Sequence, residues 1–467
     1  MTAALRTQGP WQAVVLLIAA AFGLLAGIDP VIAAGAAVGA AFMLVVTVNL
    51  HAGLCLFVFA AFLDHLPGID GGNLTIVKAL GALLFLSWLA AVTTHRYPGK
   101  TLFADHPTVT VLATFLVAWM VLSLGWVEDR GPALTDISRW VLNLALLPVL
   151  YTAVRDRKDL IRVIALFIAA AGISAVYALV GPTTTDEYSR IEGVAGTANE
   201  LASILVIGIV LASFMWLAAK DKPLARLACT LVLGLCLVAL FLTVSRSGLI
   251  ALAAALLAAV FLSGRWRLGA GLLLVAVVAT TLGWFSFAAP DAARERVTTY
   301  GDGGTGRTDI WTVALRMVND HPVQGVGIGN FRTTSVHYLL QPGLIRRSEF
   351  ILDRPLVAHN SYLNVLAELG FVGLIAFLGL LVYCLSRAWM AARGFTRGPD
   401  RVLELCARGL VVALVGLLAA DFFASDQLNK SLWLLLGMCL VLPKILRQQQ
   451  AELAGEPVLT RSHPVQV

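Results

Sequence analysis

Two arginines and one histidine stand out because of where they fall between long apolar segments. Arg246 lies in the short stretch 243–248, which joins two apolar segments with almost no loop, and Arg190 lies in the polar stretch 181–199. His359 lies just ahead of a further apolar segment. The planar guanidinium of arginine donates in parallel to two phosphate oxygens and stays charged. Histidine titrates near neutral pH and can take a proton from an attacking hydroxyl. These residue types predict a clamp for a lipid-linked pyrophosphate headgroup with a general base beside it.

Each of these residues also has a purely structural interpretation. Arg246 could snorkel or cap a helix end, although a guanidinium held at that depth is costly unless it is paired or functional. Arg190 could be a solvated loop residue, and His359 could begin a helix without taking part in chemistry. The other external histidines of the same region, His321 and His337, have no partner at metal-ligand spacing. With no HExxH, no DxD and no external Asp/Glu pair, the sequence predicts no metal and no other cofactor.

The composition assigns these residues to a membrane protein. The 467-residue chain is 59% hydrophobic and only 13% charged, whereas soluble domains carry about 25% charged residues. So few charges cannot coat a water-soluble body of this length. The six cysteines all fall in apolar segments without CxxC spacing, which predicts buried thiols rather than disulfides or a metal site. The net charge of +6 comes without a basic run interleaved with aromatics, so nucleic acid is not a predicted partner.

Long apolar runs predict an all-α, polytopic helical bundle with about 12–14 spans. The segment at 11–28 is interpreted as a first retained helix rather than a cleaved signal peptide. The candidate spans are 11–28, 31–50, 53–66, 75–94, 107–127, 138–154, 160–180, 199–219, 223–243, 246–263, 267–287, 361–386, 405–423 and 428–446.

The distribution of lysine and arginine predicts the orientation of these spans. With the N-terminus in the cytoplasm, the basic connections around 96–100, 155–158, 220–226, 265–267 and 393–401 fall inside, whereas the short outside connections 29–30, 67–74, 128–137 and 424–427 carry one arginine between them. One missed or extra span would invert part of this assignment. The predicted organisation is N-terminal transmembrane helices at 1–287, an external loop at 288–360, C-terminal transmembrane helices at 361–446 and a disordered cytoplasmic tail at 447–467.

The external loop is predicted to contain a helical cap on the outer membrane surface. From Arg307 to Asn319 the apolar residues recur at helical spacing, and an acidic residue lies in the first turn. The apolar face is predicted to consist of Ile310, Trp311, Ala314, Leu315 and Val318. The three glycines at 325, 327 and 329 follow a proline and no strand, so they indicate a tight turn rather than a dinucleotide site.

Four stretches together resemble the O-antigen ligase and polymerase superfamily of bacterial envelope glycosyltransferases. They are Ser245-Arg-Ser-Gly248, Thr305-Gly-Arg-Thr-Asp-Ile-Trp311, His321-Pro-Val-Gln-Gly-Val-Gly-Ile-Gly-Asn-Phe331 and His359-Asn-Ser-Tyr-Leu-Asn-Val-Leu-Ala-Glu-Leu-Gly370, and Arg190 with Asn199-Glu-Leu-Ala fits the same pattern. Each motif is loose by itself. Their order and their common position on one predicted membrane face make the combination fairly specific. The similarity covers about 190–370, and the more N-terminal spans are similar only in hydropathy.

The resemblance implies a GT-C-like helical fold in the bacterial inner (plasma) membrane, with the active site facing the periplasm. It implies a glycan donor on undecaprenyl pyrophosphate and transfer with inversion, without a nucleotide sugar or metal. In that scheme Arg190 and Arg246 bind the pyrophosphate, and His359 orients or deprotonates the acceptor hydroxyl. The other matching positions, Arg307, Asn199, Asn360 and Ser245, are assigned to substrate binding.

Several functions remain open at the level of sequence. The leading hypothesis is a ligase that joins polysaccharide to a lipid A-core acceptor, and the nearest alternative is a polymerase that extends a lipid-linked repeat of O-antigen or exopolysaccharide. A protein-modifying oligosaccharyltransferase is disfavoured by the short segment after 446. A transporter or flippase would be expected to show inverted repeats, broken helices or ionisable residues at mid-membrane, for which Glu368 and Asp421 are the main candidates.

Overall fold

A computed structural model describes residues 24, 26–62, 76–94, 96, 101–181, 191, 193, 197–262, 264–288, 307–339, 341 and 357–455. Within these ranges the protein is built from α-helices, as predicted. The first eight helices are α1 Pro30–Val48, α2 Leu50–Ala61, α3 Ile76–Thr93, α4 Leu102–Asp105, α5 Pro107–Ser123, α6 Arg130–Ala153, α7 Arg157–Val180 and α8 Ala198–Ala218. The others are α9 Pro223–Leu242, α10 Arg246–Leu262, α11 Arg267–Gly283, α12 Arg307–Asp320, α13 Phe331–Leu339, α14 Ser361–Phe395, α15 Arg401–Ala420 and α16 Lys430–Ala454.

Many of these helices are long and apolar enough to cross a bilayer. In the described part of the chain eight segments qualify, namely α6, α7, α8, α9, α14, α15, α16 and the segment Gly264–Gly283 that contains α11. Five shorter apolar helices accompany them: α1, α2, α3, α5 and α10. A helix satisfies its own backbone hydrogen bonds, which is what a chain in hydrocarbon requires. The predicted all-α, polytopic membrane bundle is therefore confirmed.

The core of the bundle is made by α8, α15 and α16. Most of the apolar stretch of each of these helices is buried inside the protein. Helix α15 packs against α8 and α10, and α14 packs against α16 and α5. Outer helices instead expose large apolar side chains, such as Val180 and Phe261, to the surroundings. This arrangement is expected in a bilayer, where lipid replaces water at the outer surface.

The bundle has two chemically different ends. We call the end where α6, α8, α10, α14 and α16 begin the site end, and the opposite end the basic end. Ion pairs at the basic end join different helices, including Arg157 Nε to Asp400 Oδ2 at 2.5 Å and Arg265 Nη2 to Glu404 Oε2 at 2.5 Å. The basic end thus collects the charged connections that the sequence assigned to the cytoplasm.

The last helix is longer than the sequence indicated. The tail was expected to be disordered from 447, but α16 continues to Ala454. Arg447 Nη2 donates to Asp105 Oδ2 at 2.5 Å, and Gln448 Nε2 donates to the Arg155 carbonyl at 3.1 Å. These contacts with the other helices hold the polar turns that hydropathy alone predicted to be unfolded, while 456–467 lie outside the described residues.

A small cap covers the site end. Helix α12 matches the predicted amphipathic helix closely and buries Ile310, Val313, Ala314 and Met317 among other residues, but Leu315 is 51% exposed rather than part of the apolar face. Helices α12 and α13 pack on each other and on α14. Whether this cap rests on the membrane surface remains a prediction.

The glycine-rich turn between α12 and α13 lies against the backbone of α14. The Val326 N–H donates to the Ala367 carbonyl at 2.9 Å, and the Gly327 N–H donates to the Glu368 carbonyl at 2.8 Å. Helix α14 breaks at Gly370, where φ is +66°, and a Cβ there would lie 2.1 Å from the Val323 carbonyl oxygen. Glycine is required because two backbones meet with no room for a side chain. The predicted turn is present, and its function is to fix the cap on α14.

Candidate functional site

A strained turn presents Arg246 at the start of α10. Val244 has φ of +46°, a conformation that costs a β-branched residue roughly 1–2 kcal/mol. The Ser245 hydroxyl accepts the Gly248 N–H at 3.2 Å and so caps the helix. Residues held in such strain are concentrated at functional sites. The turn fixes Arg246 as the first helical residue at the site end.

Asn199 joins this turn to the neighbouring helix α8. The Ser245 hydroxyl donates to Asn199 Oδ1 at 2.9 Å, and the Ser247 hydroxyl lies 3.4 Å from the same oxygen. Asn199 belongs to the first turn of α8, which Thr197 caps. The N-termini of α8 and α10 therefore lie side by side. Each N-terminus carries a partial positive charge and favours an anion, so the two helices add to the charge of Arg246.

His359 lies in a short loop that is held from several sides. The Asn360 side-chain amide oxygen caps α14 by accepting the Leu363 N–H at 3.0 Å. The backbone N–H of Asn360 donates to Ser425 Oγ at 3.3 Å. Trp311 Nε1, from the cap, donates to the Ala358 carbonyl at 2.9 Å. His359 itself has φ of +50°, which an ordinary side chain rarely adopts. These contacts fix the backbone of the loop, and the fixed backbone determines the position of His359.

Hydrogen bonds connect the arginine turn to the histidine loop. Ser203 Oγ lies 3.2 Å from the Asn199 carbonyl oxygen and 3.5 Å from Asp426 Oδ2. The Asp426 N–H in turn donates to Ser361 Oγ at 2.9 Å, one residue beyond Asn360. This continuous path brings α8, α10, α14 and the α15–α16 connection together at the site end.

The surroundings of His359 favour its neutral form. Burial lowers the pKa of this imidazole from 6.5 to about 4, and the guanidinium groups of Arg307 and Arg332 add to the effect by repelling a second positive charge. A histidine with this pKa is unprotonated at neutral pH. It can therefore accept a proton, which is what a general base must do.

A pair of buried carboxyls lies behind the histidine loop, in the connection between α15 and α16. Burial raises the pKa of Asp426 to about 6, and burial together with the charge of Asp426 raises the pKa of Asp421 well above its ordinary value. Neither carboxyl oxygen of Asp421 has a hydrogen-bond partner among the described residues. The Ser361 N–H does bind the Asp421 backbone carbonyl at 2.8 Å, so this pair is built into the wall of the site.

The structure locates most of the residues that the sequence singled out. Arg246, Arg307 and His359 lie at the site end, whereas Arg190 falls outside the described residues. The side chains of Asn199, Ser245 and Asn360 bind other protein groups at helix starts, and their contact with substrate remains a prediction.

Sequence reasoning passed over Arg332 and Asp426. Arg332 follows directly after the 321–331 motif. An arginine in a connection predicted to be external is the signal that singled out Arg190 and Arg246, and it applies to Arg332 as well. Glu368 was considered only as a transporter residue. In the structure Glu368 Oε1 accepts the Phe331 N–H at 3.2 Å and ties α13 to α14.

Fold and site define an all-α, multi-pass membrane protein with a basic, histidine-containing site at one end of its bundle. Residues 231–378 match the family model described as O-Antigen ligase, which confirms the resemblance indicated by the four motifs. The match includes Arg246, Arg307, Arg332 and His359, whereas Arg190 and Asn199 precede it.

A curated relative gives the same result. The chain is 27% identical over 278 residues to a protein named O-antigen ligase from Pseudomonas aeruginosa. The aligned region covers 58% of this chain and spans 63% of the length of that relative. The relationship therefore extends beyond the four motifs, while the activity of the whole protein is a matter for proposal.

Proposed function

We propose that this protein is an O-antigen ligase-like glycosyltransferase that moves a glycan from undecaprenyl pyrophosphate to a lipid A-core acceptor. The observation that carries the proposal is the meeting of the Arg246 turn and the His359 loop through one hydrogen-bonded path. A fixed cation and a neutral imidazole at one end of a membrane bundle suit a donor whose anionic headgroup emerges from the bilayer. The family match and the ligase name of the relative favour the same reaction.

In the proposed reaction, fixed positive charge stabilises the leaving group. The acceptor hydroxyl oxygen attacks the anomeric carbon, and the bond from that carbon to the pyrophosphate oxygen breaks with inversion. The electron pair of this bond leaves on undecaprenyl pyrophosphate, where Arg246, Arg190 and the N-termini of α8 and α10 offset the developing charge. His359 takes the hydroxyl proton as the new bond forms. Arg307 assists at the same site, and the scheme needs no nucleotide sugar and no metal.

The proposed location is the bacterial inner membrane, with the site end in the periplasm. Basic connections of membrane proteins remain in the cytoplasm. Since the charged connections collect at the basic end, the opposite end, which carries His359, is assigned to the periplasm. A cysteine-accessibility experiment with a charged, impermeant reagent tests this assignment: Thr333→Cys at the site end should react from the periplasm and Arg397→Cys at the basic end should not.

The activity itself is tested with the purified protein in nanodiscs. Lipid-linked glycan and lipid A-core are supplied, and the transferred product is measured by gel. We expect His359→Ala to reduce transfer by at least about 100-fold, in line with loss of a general base. His337→Ala is the matched control, because this histidine lies in the same cap but only pairs with Glu128 at 3.0 Å. Equal activity of the two variants would contradict the role of His359.

A polymerase is the second candidate, because it would use the same donor chemistry on a lipid-linked acceptor. A deletion strain separates the two possibilities. Loss of the long lipopolysaccharide ladder with full-length polymer retained on the carrier supports the ligase. A single repeat attached to core identifies a polymerase instead, and an unchanged profile contradicts both assignments and favours a transporter.

A further inference from the structure

The cap carries an arginine that the motif comparison did not single out and that the site can use. Arg332 is the second residue of α13, and its position is fixed by three contacts of the preceding turn. Glu368 accepts the Phe331 N–H at 3.2 Å, and the Gly327 N–H binds the α14 backbone at 2.8 Å. Asn330 Oδ1 accepts the Asp129 N–H at 2.7 Å, which anchors the same turn to the start of α6. The start of α13 is therefore held by both α14 and α6.

The side chain of Arg332 remains exposed and forms no salt bridge within the described part of the chain. Its neighbours differ in this respect. Arg139 pairs with Asp136 at 3.3 Å, and Arg316 donates to the Tyr338 carbonyl at 2.7 Å. The charge of Arg332 acts on the Asp136 carboxyl without forming an ion pair with it, so the guanidinium on this doubly anchored helix start is suited to a ligand oxygen.

Arg332 also shares the electrostatic environment of the histidine loop. Its charge, together with that of Arg307, acts on His359 and contributes to the low pKa of that imidazole. The two arginines come from different helices, α12 and α13, which pack on each other, and α12 also holds the histidine loop through the Trp311 hydrogen bond to the Ala358 carbonyl. Positive charge thus acts on His359 from the cap, while Arg246 and the starts of α8 and α10 are connected to the histidine loop by the hydrogen-bonded path through Ser203 and Asp426.

We propose that Arg332 is a further donor-binding residue, which contacts the pyrophosphate headgroup from the cap while Arg246 binds it from the bundle. This inference rests on the proposed function. An anionic headgroup bound beside Arg307 and Arg332 would offset their charges, which add to the effect of burial in lowering the pKa of His359. Binding of the pyrophosphate headgroup would therefore increase the basicity of His359.

The experiment measures binding separately from transfer. Wild type, Arg332→Gln, Arg332→Lys and Arg130→Gln are titrated in nanodiscs with undecaprenyl pyrophosphate and with undecaprenol, which lacks the anion. Arg130 is the matched control, since it is an exposed arginine at the same end that does not act on His359. We expect Arg332→Gln to weaken binding of the pyrophosphate about tenfold, as for loss of one charge-assisted hydrogen bond. Lysine should restore part of it, and undecaprenol should bind equally to all variants.

A second readout excludes a merely structural role. Removal of Arg332 should move the acidic limb of the kcat/KM profile to higher pH, because one repelling charge is lost from beside His359. Phosphate groups of the acceptor could bind the same guanidinium, so acceptor KM is measured in parallel. An increase in acceptor KM alone would overturn the inference, as would equal pyrophosphate binding by Arg332→Gln and wild type. If wild type itself binds no undecaprenyl pyrophosphate, the proposed function fails as well.

Discussion

The pH dependence of transfer follows from the neutral state of His359. Its pKa of about 4 is set first by burial and then by Arg307 and Arg332, while an ordinary histidine titrates at 6.5. The base form is the unprotonated one. Activity is therefore expected to rise with pH through about 4 and to stay level from weakly acidic conditions to neutrality, with no loss near pH 6.5.

The size of the effect can be stated for a single pH. At pH 5.5 an imidazole with a pKa of 6.5 is about 90% protonated, whereas one with a pKa near 4 is about 3% protonated. With an ordinary histidine, kcat/KM would fall roughly tenfold between pH 8 and pH 5.5. With His359 as described, the decrease over the same interval is expected to be only a few per cent.

The assay measures kcat/KM for the lipid-linked donor between pH 4.5 and 8.5. Asp426, whose backbone N–H binds Ser361 Oγ two residues beyond the histidine, has a pKa of about 6, so its titration falls in the same pH interval. Asp426→Asn serves as the control that removes this second group. An acidic limb near 6.5 that persists in Asp426→Asn would refute the electrostatic argument, whereas Arg307→Gln should move the limb upward.

Three further results are expected. Asp421→Asn should be more stable than wild type above pH 5. The buried carboxyl binds its proton more tightly in the folded state than in the unfolded state, so wild type loses stability as pH rises above about 4. The asparagine amide carries no such proton, so the variant does not lose this stability. Thermal unfolding in detergent at pH 5 and 8 measures this, and an equal decline in both proteins would contradict it. Gly370→Ala should destabilise the protein by roughly 2–5 kcal/mol, from strain at positive φ and a clash with the Val323 carbonyl. Gly379→Ala is the control, because its Cβ would make only ordinary contacts at 3.5 Å. Similar unfolding of both variants would count against the close backbone contact at Gly370. Ser245→Ala should lose about 1 kcal/mol of helix-capping energy and raise donor KM by releasing the Arg246 turn. Ser213→Ala in α8 is the control and should leave donor KM unchanged. An unaltered donor KM in Ser245→Ala would show that the Ser245 hydroxyl does not position Arg246.

The sequence was sufficient for the membrane bundle and for most of the motif residues. Apolar runs of bilayer length have one stable solution in hydrocarbon, so helix positions could be predicted from hydropathy. The amphipathic spacing likewise predicted α12, whereas the roles assigned to the arginines and His359 stay predictions. The helical end of the chain was missed, because contacts such as that of Arg447 with Asp105 hold polar turns that hydropathy predicts to be unfolded.

The assembly of the site was decided by tertiary structure. Sequence spacing could not show that Ser203 and Asp426 connect the Arg246 turn to the His359 loop, since they are far apart along the chain. It also could not show that the charge of Arg332 acts on His359, because that depends on how the glycine turn packs on α14. Hydropathy specifies which segments enter the bilayer. The charges that lie side by side at one end are specified only when packing and backbone hydrogen bonds fix the helices relative to one another.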